Sequence, residues 1–418
     1  MTDSNARRLK LACYTSNISG AVIANLSPVL FLTFREIYGI SYSLLGLLVL
    51  INFVTQLGID LIFSFFSHRF NIAKTVRAMP LLGMLGLVIY AVWPFLFPSS
   101  AYVGLVIGTV IFSAAGGLGE VLISPLVAAV PSEYPDREMS KLHSVYAWGS
   151  VGVIIISTLF LLLFDRSNWQ YLVLAFSLVS FASFLLFLGA SIPKMETPKQ
   201  ASGAFKMLLD RGVWLCIFAI FLGGAAECTM AQWSSGYIEA ALGIPKIFGD
   251  LFGVALFSVM LGLGRTLYAK HGRNIGRVLT LGAIGATACY FIAAVSSVPV
   301  VGLLACALTG LCTSMLWPGN LVVASSRFSQ DGVFIYAMMA AGGDLGASVA
   351  PQLLGVITDA VIASPRAAAI AVDLSLSPEQ LGMKLGMLFG MLFPLCGIFV
   401  YLHIWRRQKR EEVEKDNA

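Results

Sequence analysis

The sequence contains few charged residues. Asp, Glu, Lys and Arg together make up 12% of its 418 residues, whereas soluble proteins average about 25%. So few charges cannot cover a water-exposed surface, and 58% of the residues are hydrophobic. This composition excludes a string of soluble domains and predicts one polytopic membrane protein with the lipid bilayer as its partner. The net charge of +5 does not require a nucleic-acid partner, and we expect none.

Signatures of catalysis and of nucleotide or metal binding are also missing. The sequence has no G-x-x-x-x-G-K-[ST] loop, which argues against ATP-driven transport by this chain alone. No metal-ligand spacing and no serine or cysteine nucleophile motif stands out, so we predict no enzyme, no cofactor and no bound metal. The seven cysteines lie in apolar stretches without a C-x-x-C pair. We interpret them as reduced packing residues.

Long apolar runs are abundant. Twelve can be counted, each near the ~20 residues that a membrane-spanning helix requires. We number them segments 1 to 12, with approximate ranges 11–34, 42–66, 75–97, 101–130, 141–164, 168–191, 213–241, 247–269, 275–296, 299–325, 331–361 and 383–405. Segment 1 follows a short basic start without a small-residue cleavage site, so we expect it to remain as a membrane helix. The predicted fold class is an all-α polytopic membrane protein with twelve transmembrane helices in two six-helix halves. The predicted parts are an N-terminal half (1–191), a cytoplasmic linker (192–212), a C-terminal half (213–405) and a cytoplasmic tail (406–418).

Lys and Arg are distributed unequally between alternate loops. The N-terminus, every second loop, the linker and the tail hold most of them. The opposite loops hold only Arg35, Arg166, Lys246, Arg366 and Lys384, and Arg265 lies inside segment 8. Because cytoplasmic loops carry the excess of positive charge, both termini are predicted to be cytoplasmic. The predicted location is the plasma membrane, which is the inner membrane of a bacterial cell.

One stretch combines an acidic residue with helix-distorting residues. Glu120 lies near the middle of segment 4, and Pro125 follows it. After a short charged loop, segment 5 opens with His143, Tyr146 and Trp148. An ionisable group within the hydrocarbon is costly, so it is a functional-site hypothesis by default. The stretch is therefore a candidate centre of function.

A weak internal repeat supports two equivalent halves. Pro125 precedes His143 by 18 residues, and Pro318 in segment 10 precedes Tyr336 in segment 11 by the same 18 residues. Duplicated six-helix halves with the substrate near the midplane are typical of the major facilitator architecture. The repeat and the twelve segments together predict this architecture.

The residues around Glu120 resemble the fucose permease branch of the major facilitator superfamily. They read Gly119-Glu120-Val-Leu-Ile-Ser-Pro125 and, after the loop, Leu142-His143-Ser-Val-Tyr146-Ala-Trp-Gly149. Gly224-Ala-Ala-Glu227, Gly264-Arg265, Trp317-Pro318, Gly342-Gly343 and Pro351 are similar as well. Two places depart from the branch: Ala24, next to Asn25, stands where an aspartate is found, and the loop after segment 2 keeps only Arg69 and Lys74 of its signature. The resemblance implies a secondary transporter in which Glu120 carries the proton and helices 1, 4, 7 and 10 line the cavity.

Proton coupling is predicted at Glu120 and Asp60. A low-dielectric cavity disfavours the charged form of a carboxylate, which allows Glu120 to take up a proton and release it on the other side. For Glu120 the alternative is a structural hydrogen bond. Asp60 lies in segment 2 without an obvious charged partner within one turn. For Asp60, coupling or gating and a structural pairing are both open.

Substrate contacts and structural charges are predicted for further polar groups within the segments. Amides and carboxylates can bond the hydroxyls of a sugar, while an aromatic ring can lie against its C–H face. The predicted substrate-binding residues are Asn25, Glu120, His143, Tyr146, Glu227, Gln232, Trp233, Trp317 and Asn320. Arg265 and Asp344 are predicted gating or structural charges: Asp344 lies among small residues that permit close helix approach, and Arg265 can brace a gate with an acidic partner.

The predicted function is proton-coupled import of a small polar solute, with a sugar as the preferred class. Sodium is the alternative coupling ion, and a monomer is sufficient for the mechanism. One alternative is an efflux antiporter for amphipathic compounds or drugs, which uses the same fold and buried acids. Another is a non-transporting membrane sensor or assembly factor, which the short tail after Trp405 disfavours.

Overall fold

The computed structural model describes residues 3–66, 69–130, 135–193, 209–272, 274–328 and 332–416. These residues are predominantly helical, and no strand occurs among them. Within this part of the chain, 12 helices are long and apolar enough to cross a membrane. Large apolar side chains such as Leu163 and Phe399 remain exposed along them, as expected where lipid covers the surface. The predicted all-α fold class with twelve spans is confirmed.

The first six spanning helices have the following bounds: α1 Asp3–Tyr38, α2 Tyr42–Phe66, α3 Ile72–Leu96, α4 Ala101–Ala128, α5 Pro135–Phe164 and α6 Trp169–Leu188. The next helix is α7 Arg211–Ala240. Helix α8 has three consecutive parts: a short helical turn Lys246–Gly249, a π-helical turn Asp250–Ala255 and an α-helix Leu256–His271. It is followed by α9 Ile275–Val295. The last three are α10 in two pieces, Pro299–Thr313 and Pro318–Arg327, α11 Gly332–Ile362, and α12, formed by Pro378–Gly390 and Leu392–Asp416. A short helix, Pro365–Asp373, precedes α12.

Several helices begin at polar residues that satisfy the free N–H groups of the first turn. Asn71 accepts from the amide of Lys74 at the start of α3. Asp210 caps α7, and Ser377 forms a capping box with Gln380 at the start of α12. These ends are therefore encoded locally.

The chain divides into two compact units. The first comprises Met1–Ile40 and Ile51–Ser202, and the second comprises Ser41–Leu50 and Gly203–Ala418. The beginning of α2 thus belongs with the second unit, while the rest of α2 belongs with the first. The predicted linker, 192–212, falls largely outside the described residues.

Glycines allow α7 and α11 to pack closely in the second unit. A Cβ atom on Gly346 would lie 2.1 Å from the carbonyl oxygen of Phe221, and one on Gly342 would lie 3.0 Å from that of Ile217. Any larger residue would push the two backbones apart. The buried residue Asp344 lies on α11 within this small-residue stretch.

The interruption of α10 separates the two pieces of that helix by four residues. Residues 314–317 form a turn, and Pro318 begins the second piece. The helices α1, α4 and α11 instead continue through Pro28, Pro125 and Pro351. The turn in α10 exposes backbone groups that an unbroken helix would pair internally.

Candidate functional site

In the first unit, α2 carries polar side chains along one face. Asn52, Gln56 and Asp60 are four residues apart in turn, so they line up along the helix, and all three are buried. The amide of Gln56 donates to Oδ1 of Asn52 at 3.0 Å. The hydroxyl of Ser113, on α4, donates to the same oxygen at 2.6 Å. The polar face of α2 therefore packs against α4.

This contact is close because α4 presents a glycine. A Cβ atom on Gly117 would lie 3.1 Å from both Cα and the carbonyl oxygen of Gln56. Glu120 follows Gly117 by three residues, which keeps it on the same side of α4. Asp60 follows Gln56 by one helical turn. The glycine contact thus brings the two acidic residues to the same level.

Asp60 and Glu120 form a carboxyl pair. Their carboxylate oxygens lie within 4.8 Å of one another. Asp60 is only 7% exposed, and among the described residues its Oδ1 has no hydrogen-bond partner. The Glu120 side chain is exposed. The pair therefore combines an exposed carboxyl group with a buried one whose Oδ1 accepts no hydrogen bond from the described residues.

The predicted substrate residues on α1 and α5 lie near one another. Asn25 donates through Nδ2 to the carbonyl of Ala21 at 2.8 Å and to the hydroxyl of Ser150, on α5, at 3.1 Å. Tyr146, one turn before Ser150, is exposed. His143 lies on α5 as well, but its side chain falls outside the described part of the chain.

An aromatic groove runs between α1 and α5. It has a volume of about 530 Å³, and its lining includes Tyr14, Ile18, Trp148 and Gly149. Trp148 is 72% exposed. The groove offers ring faces and aliphatic surface with few polar groups, which suits an apolar or amphipathic compound.

In the second unit, Glu227 and Arg265 form an ion pair. Nη2 of Arg265, on α8, lies 3.1 Å from Oε1 of Glu227, on α7. Nε of the same guanidinium donates to the carbonyl of Ser314 at 3.1 Å. That carbonyl belongs to the turn that interrupts α10. Three helices therefore converge on one guanidinium.

Trp317 and Asn320 flank the other end of this turn. The ring of Trp317 is half-buried and packs between glycines of α7 and α11: Cβ atoms on Gly224 and Gly343 would lie 3.0 Å and 2.5 Å from its atoms. Asn320 is buried and donates to the carbonyl of Leu316 at 2.6 Å. Its Oδ1 has no partner among the described residues. Trp317 and Asn320 therefore follow closely after Ser314, whose carbonyl accepts the hydrogen bond from Arg265.

The remaining predicted residues on α7 and α11 lie in helix contacts. Trp233 is fully buried, and its indole N–H donates to the carbonyl of Pro351 at 2.9 Å. Gln232 and Asp344 are buried too. The geometry of Trp233 is that of a packing residue, and its side chain is not accessible in this structure.

The sequence interpretation missed several polar residues of these sites. Asn52, Gln56 and Ser113 were not among the candidates, although the four-residue spacing of Asn52, Gln56 and Asp60 was a readable signal. Ser314 was missed as well. Its signal was Pro318, four residues later, because proline has no N–H to pair with the carbonyl of Ser314.

Twelve apolar helices, an interrupted spanning helix and acidic groups inside the spans are typical features of a secondary transporter. The sequence matches the family model of the Major Facilitator Superfamily over residues 12–351. The chain therefore belongs to the Major Facilitator Superfamily, and it is a multi-pass membrane transporter of that family. The resemblance found in the sequence is confirmed at this level. No curated protein sequence matches the chain.

Solved transporter structures share the fold. A bacterial homologue of the human lysosomal transporter Spinster, in an inward-facing conformation, has a TM-score of 0.71 at 14% identity, covering 97% of this chain and 98% of that one. A D-xylose–proton symporter has a TM-score of 0.67 at 17% identity over 93% of this chain and 96% of its own. The fucose:proton symporter of E. coli has a TM-score of 0.56 at 15% identity over 93% and 98%. At these identities the likeness establishes the fold alone.

Proposed function

We propose that this transporter imports a small polar solute, with sugars as the first class to test, by symport with protons. Asp60 and Glu120 form the proton site in this proposal. Within the first unit, Asn25 and Tyr146 are proposed solute contacts. Within the second unit, Glu227, Trp317 and Asn320 are proposed solute contacts. A monomer in the plasma membrane is sufficient, with both termini in the cytoplasm.

The observation that carries the proposal is the short distance between the carboxyl groups of Asp60 and Glu120. Carboxylates within 4.8 Å of each other repel one another, and an apolar environment strengthens this repulsion. A proton bound by the pair removes the repulsion, and a change of access can release that proton on the other side. The exposed Glu120 supplies the route by which the proton reaches the buried Asp60.

Support for a sugar comes from the kinds of groups available. Amides such as Asn25 and hydroxyls such as that of Tyr146 can bond solute hydroxyl groups. The D-xylose–proton and fucose:proton symporters among the similar structures carry sugars with protons. These two similar structures are the reason for testing sugars first as the transported solute.

The test uses purified protein reconstituted into liposomes. A thermal-shift screen of hexoses, pentoses, amino acids and nucleosides first identifies a bound solute, because ligand binding raises the melting temperature. Uptake of that solute is then measured with an alkaline interior, and exchange is measured with solute on both sides. We expect Glu120→Gln to abolish accumulation against a gradient while it leaves exchange intact.

The matched control is Glu36→Gln, which removes an exposed carboxylate that pairs with Arg166 outside the site. This control should accumulate solute as the unmodified protein does. Undiminished accumulation by Glu120→Gln would contradict the proton site. Accumulation driven by a sodium gradient and not by protons would assign the same carboxyl pair to sodium.

The groove between α1 and α5 favours a second candidate function, efflux of amphipathic compounds in exchange for protons. Tyr14 and Trp148 offer aromatic faces there, and such faces bind apolar and cationic ligands. Expression in a sensitive strain should then raise resistance to amphipathic cations, and Trp148→Ala should remove that resistance. A thermal shift with sugars alone would argue against efflux.

A further inference from the structure

The guanidinium of Arg265 bonds to the backbone carbonyl of Ser314, which is free because a proline stands four residues later. Within a regular helix, the carbonyl of Ser314 would accept from the N–H of the residue at position 318. That residue is Pro318, which has no N–H, and α10 is interrupted at this point. The freed carbonyl accepts from Nε of Arg265 at 3.1 Å. The broken helix therefore fixes the orientation of the guanidinium.

The same guanidinium keeps donors available. Nε is used by Ser314 and Nη2 by Glu227, and no described residue takes a hydrogen bond from Nη1. The Arg265 side chain is 45% exposed, whereas that of Glu227 is 13% exposed. The side chain is therefore accessible to a ligand, and Nη1 remains as a donor for it. An arginine fork binds a carboxylate with two parallel hydrogen bonds.

The acidic partner is incompletely satisfied. Glu227 uses Oε1 for the ion pair, while its Oε2 is buried and has no hydrogen-bond partner among the described residues. A single bond between carboxylate and guanidinium is weaker than the two-bond arrangement that both groups allow. A solute carboxylate that makes two hydrogen bonds to the guanidinium can therefore replace Glu227, which makes one.

If Glu227 is displaced from Arg265, its carboxylate is expected to take up a proton. A buried carboxylate that loses its cation is strongly destabilised unless it becomes neutral. Among the described residues, Arg265 is the charged group facing Glu227. The neighbouring α9 contributes the hydroxyl of Tyr290, which donates to the carbonyl of Ala226, and α10 contributes the carbonyl of Ser314. Neither of these can replace the lost positive charge.

We propose that Arg265 binds a carboxylate group of the transported solute, so that the solutes of this transporter are organic carboxylates, acidic sugars among them. The carboxylate takes the place of Glu227 at the guanidinium, and Glu227 takes up one proton from water as it is released. Charge is thereby conserved at the site. The inference rests on the proposed function for the existence of a small solute, and it names the class of that solute.

The first experiment compares probes that differ only by a carboxylate. Thermal shifts of the detergent-purified protein give dissociation constants for D-galacturonate against D-galactose, D-gluconate against D-glucitol, and L-lactate against 1,2-propanediol. We expect at least one acid to bind about tenfold or more tightly than its neutral counterpart, because the fork supplies two charge-assisted hydrogen bonds. Equal affinity within all three pairs, or binding of none of the acids, would overturn the proposal.

The second experiment changes the cation. We expect Arg265→Gln to weaken binding of the acid by about tenfold or more, and Arg265→Lys to weaken it partially, because lysine keeps the charge and loses the fork. The matched control is Arg277→Gln, which removes an exposed arginine at the start of α9 and should leave binding unchanged. Size-exclusion chromatography verifies that each variant is folded. Full affinity in a folded Arg265→Gln variant would overturn the proposal.

The third experiment separates a binding role from a structural ion pair. Glu227→Gln is permanently neutral and competes less for Arg265, so we expect it to bind the acid several-fold more tightly at pH 8. In the unmodified protein, binding should strengthen by up to about tenfold per unit as pH falls from 8 to 6, because one proton is taken up with each anion. The variant should lose this dependence. Weaker binding by a folded Glu227→Gln variant would overturn the exchange of partners.

Failure of this inference is distinguishable from failure of the proposed function. Binding in detergent requires no gradient and does not involve Glu120. Proton-driven uptake of a neutral sugar that depends on Glu120, without carboxylate binding, would leave the proposed function intact and overturn the inference. Carboxylate binding that depends on Arg265, without proton-driven uptake in liposomes, would support the inference and contradict symport.

Discussion

At the scale of single residues, the carboxyl groups of Asp60 and Glu120 place two charges of the same sign next to each other. Within 4.8 Å of each other, two ionised groups repel by on the order of 1–3 kcal/mol in the effective dielectric of a protein. This repulsion is absent when the pair holds a proton. Stability should therefore depend on pH through this pair.

We predict that Glu120→Gln stabilises the protein relative to the unmodified chain at high pH and not at low pH. At pH 9 both carboxyl groups of the unmodified pair tend to be ionised, and the variant is spared their repulsion, a gain of about 1 kcal/mol. At pH 5 the pair holds a proton and the difference should vanish. Melting temperatures in detergent at the two pH values measure the effect, with Glu36→Gln as control. A difference that is the same at both pH values would contradict the repulsion.

The sequence was sufficient to select individual candidate site residues. It was not sufficient to predict which residues they contact. Glu227 and Arg265 were identified because charges inside apolar segments are rare. Their pairing depends on how α7 and α8 turn towards one another, and the spacing along either helix does not contain that information. The same applies to Asp60, whose acidic neighbour Glu120 lies on α4 and not on the same helix.

At the scale of helices, close packing in the second unit depends on glycine. Gly346 of α11 faces the backbone of α7, and a Cβ atom there would lie 2.1 Å from the carbonyl oxygen of Phe221. A backbone oxygen cannot move aside as the end of a flexible side chain can. The two helices would have to separate.

We predict that Gly346→Ala destabilises the protein by about 1–3 kcal/mol, the usual cost of overpacking. Gly262→Ala is the matched control, because Gly262 lies within α8 and a Cβ atom there would have no atom within 4 Å. That control should be neutral or stabilising by up to about 1 kcal/mol, since alanine favours the helix. Thermal unfolding in detergent compares the two. Equal melting temperatures for both variants would refute the close-packing argument.

The start of α2 shows what helix-level prediction from sequence misses. Asp359 of α11 accepts from the backbone amides of Tyr42 and Ser43 at 3.1 Å and 2.6 Å, and so caps a helix that is remote in sequence. Local caps such as Ser377 can be recognised from the residues themselves. A cap supplied by another helix cannot be, because it depends on the tertiary arrangement.

At the scale of the whole molecule, the number of spans followed from the sequence because a bilayer fixes the length of each apolar run. The superfamily was predicted from the twelve segments, the internal repeat and the motif around Glu120. In the sequence, only Pro318 indicated the interruption of α10. By contrast, α1, α4 and α11 remain continuous although they contain Pro28, Pro125 and Pro351. Proline alone therefore does not determine where a spanning helix breaks.

The orientation of the chain in the membrane is a prediction that the charge distribution makes for the whole molecule. Basic residues favour the cytoplasmic side, which places the loop before α4 outside and the loop after α8 inside. Ser99 lies in the loop before α4 and Lys270 in the last turn of α8, next to the loop that follows it, and both are exposed. In a Cys396→Ser background, which removes the exposed cysteine, a membrane-impermeant maleimide should label Ser99→Cys on intact cells. Lys270→Cys should react only after permeabilisation, and the opposite pattern would reverse the assigned orientation and with it the direction of proton-driven import.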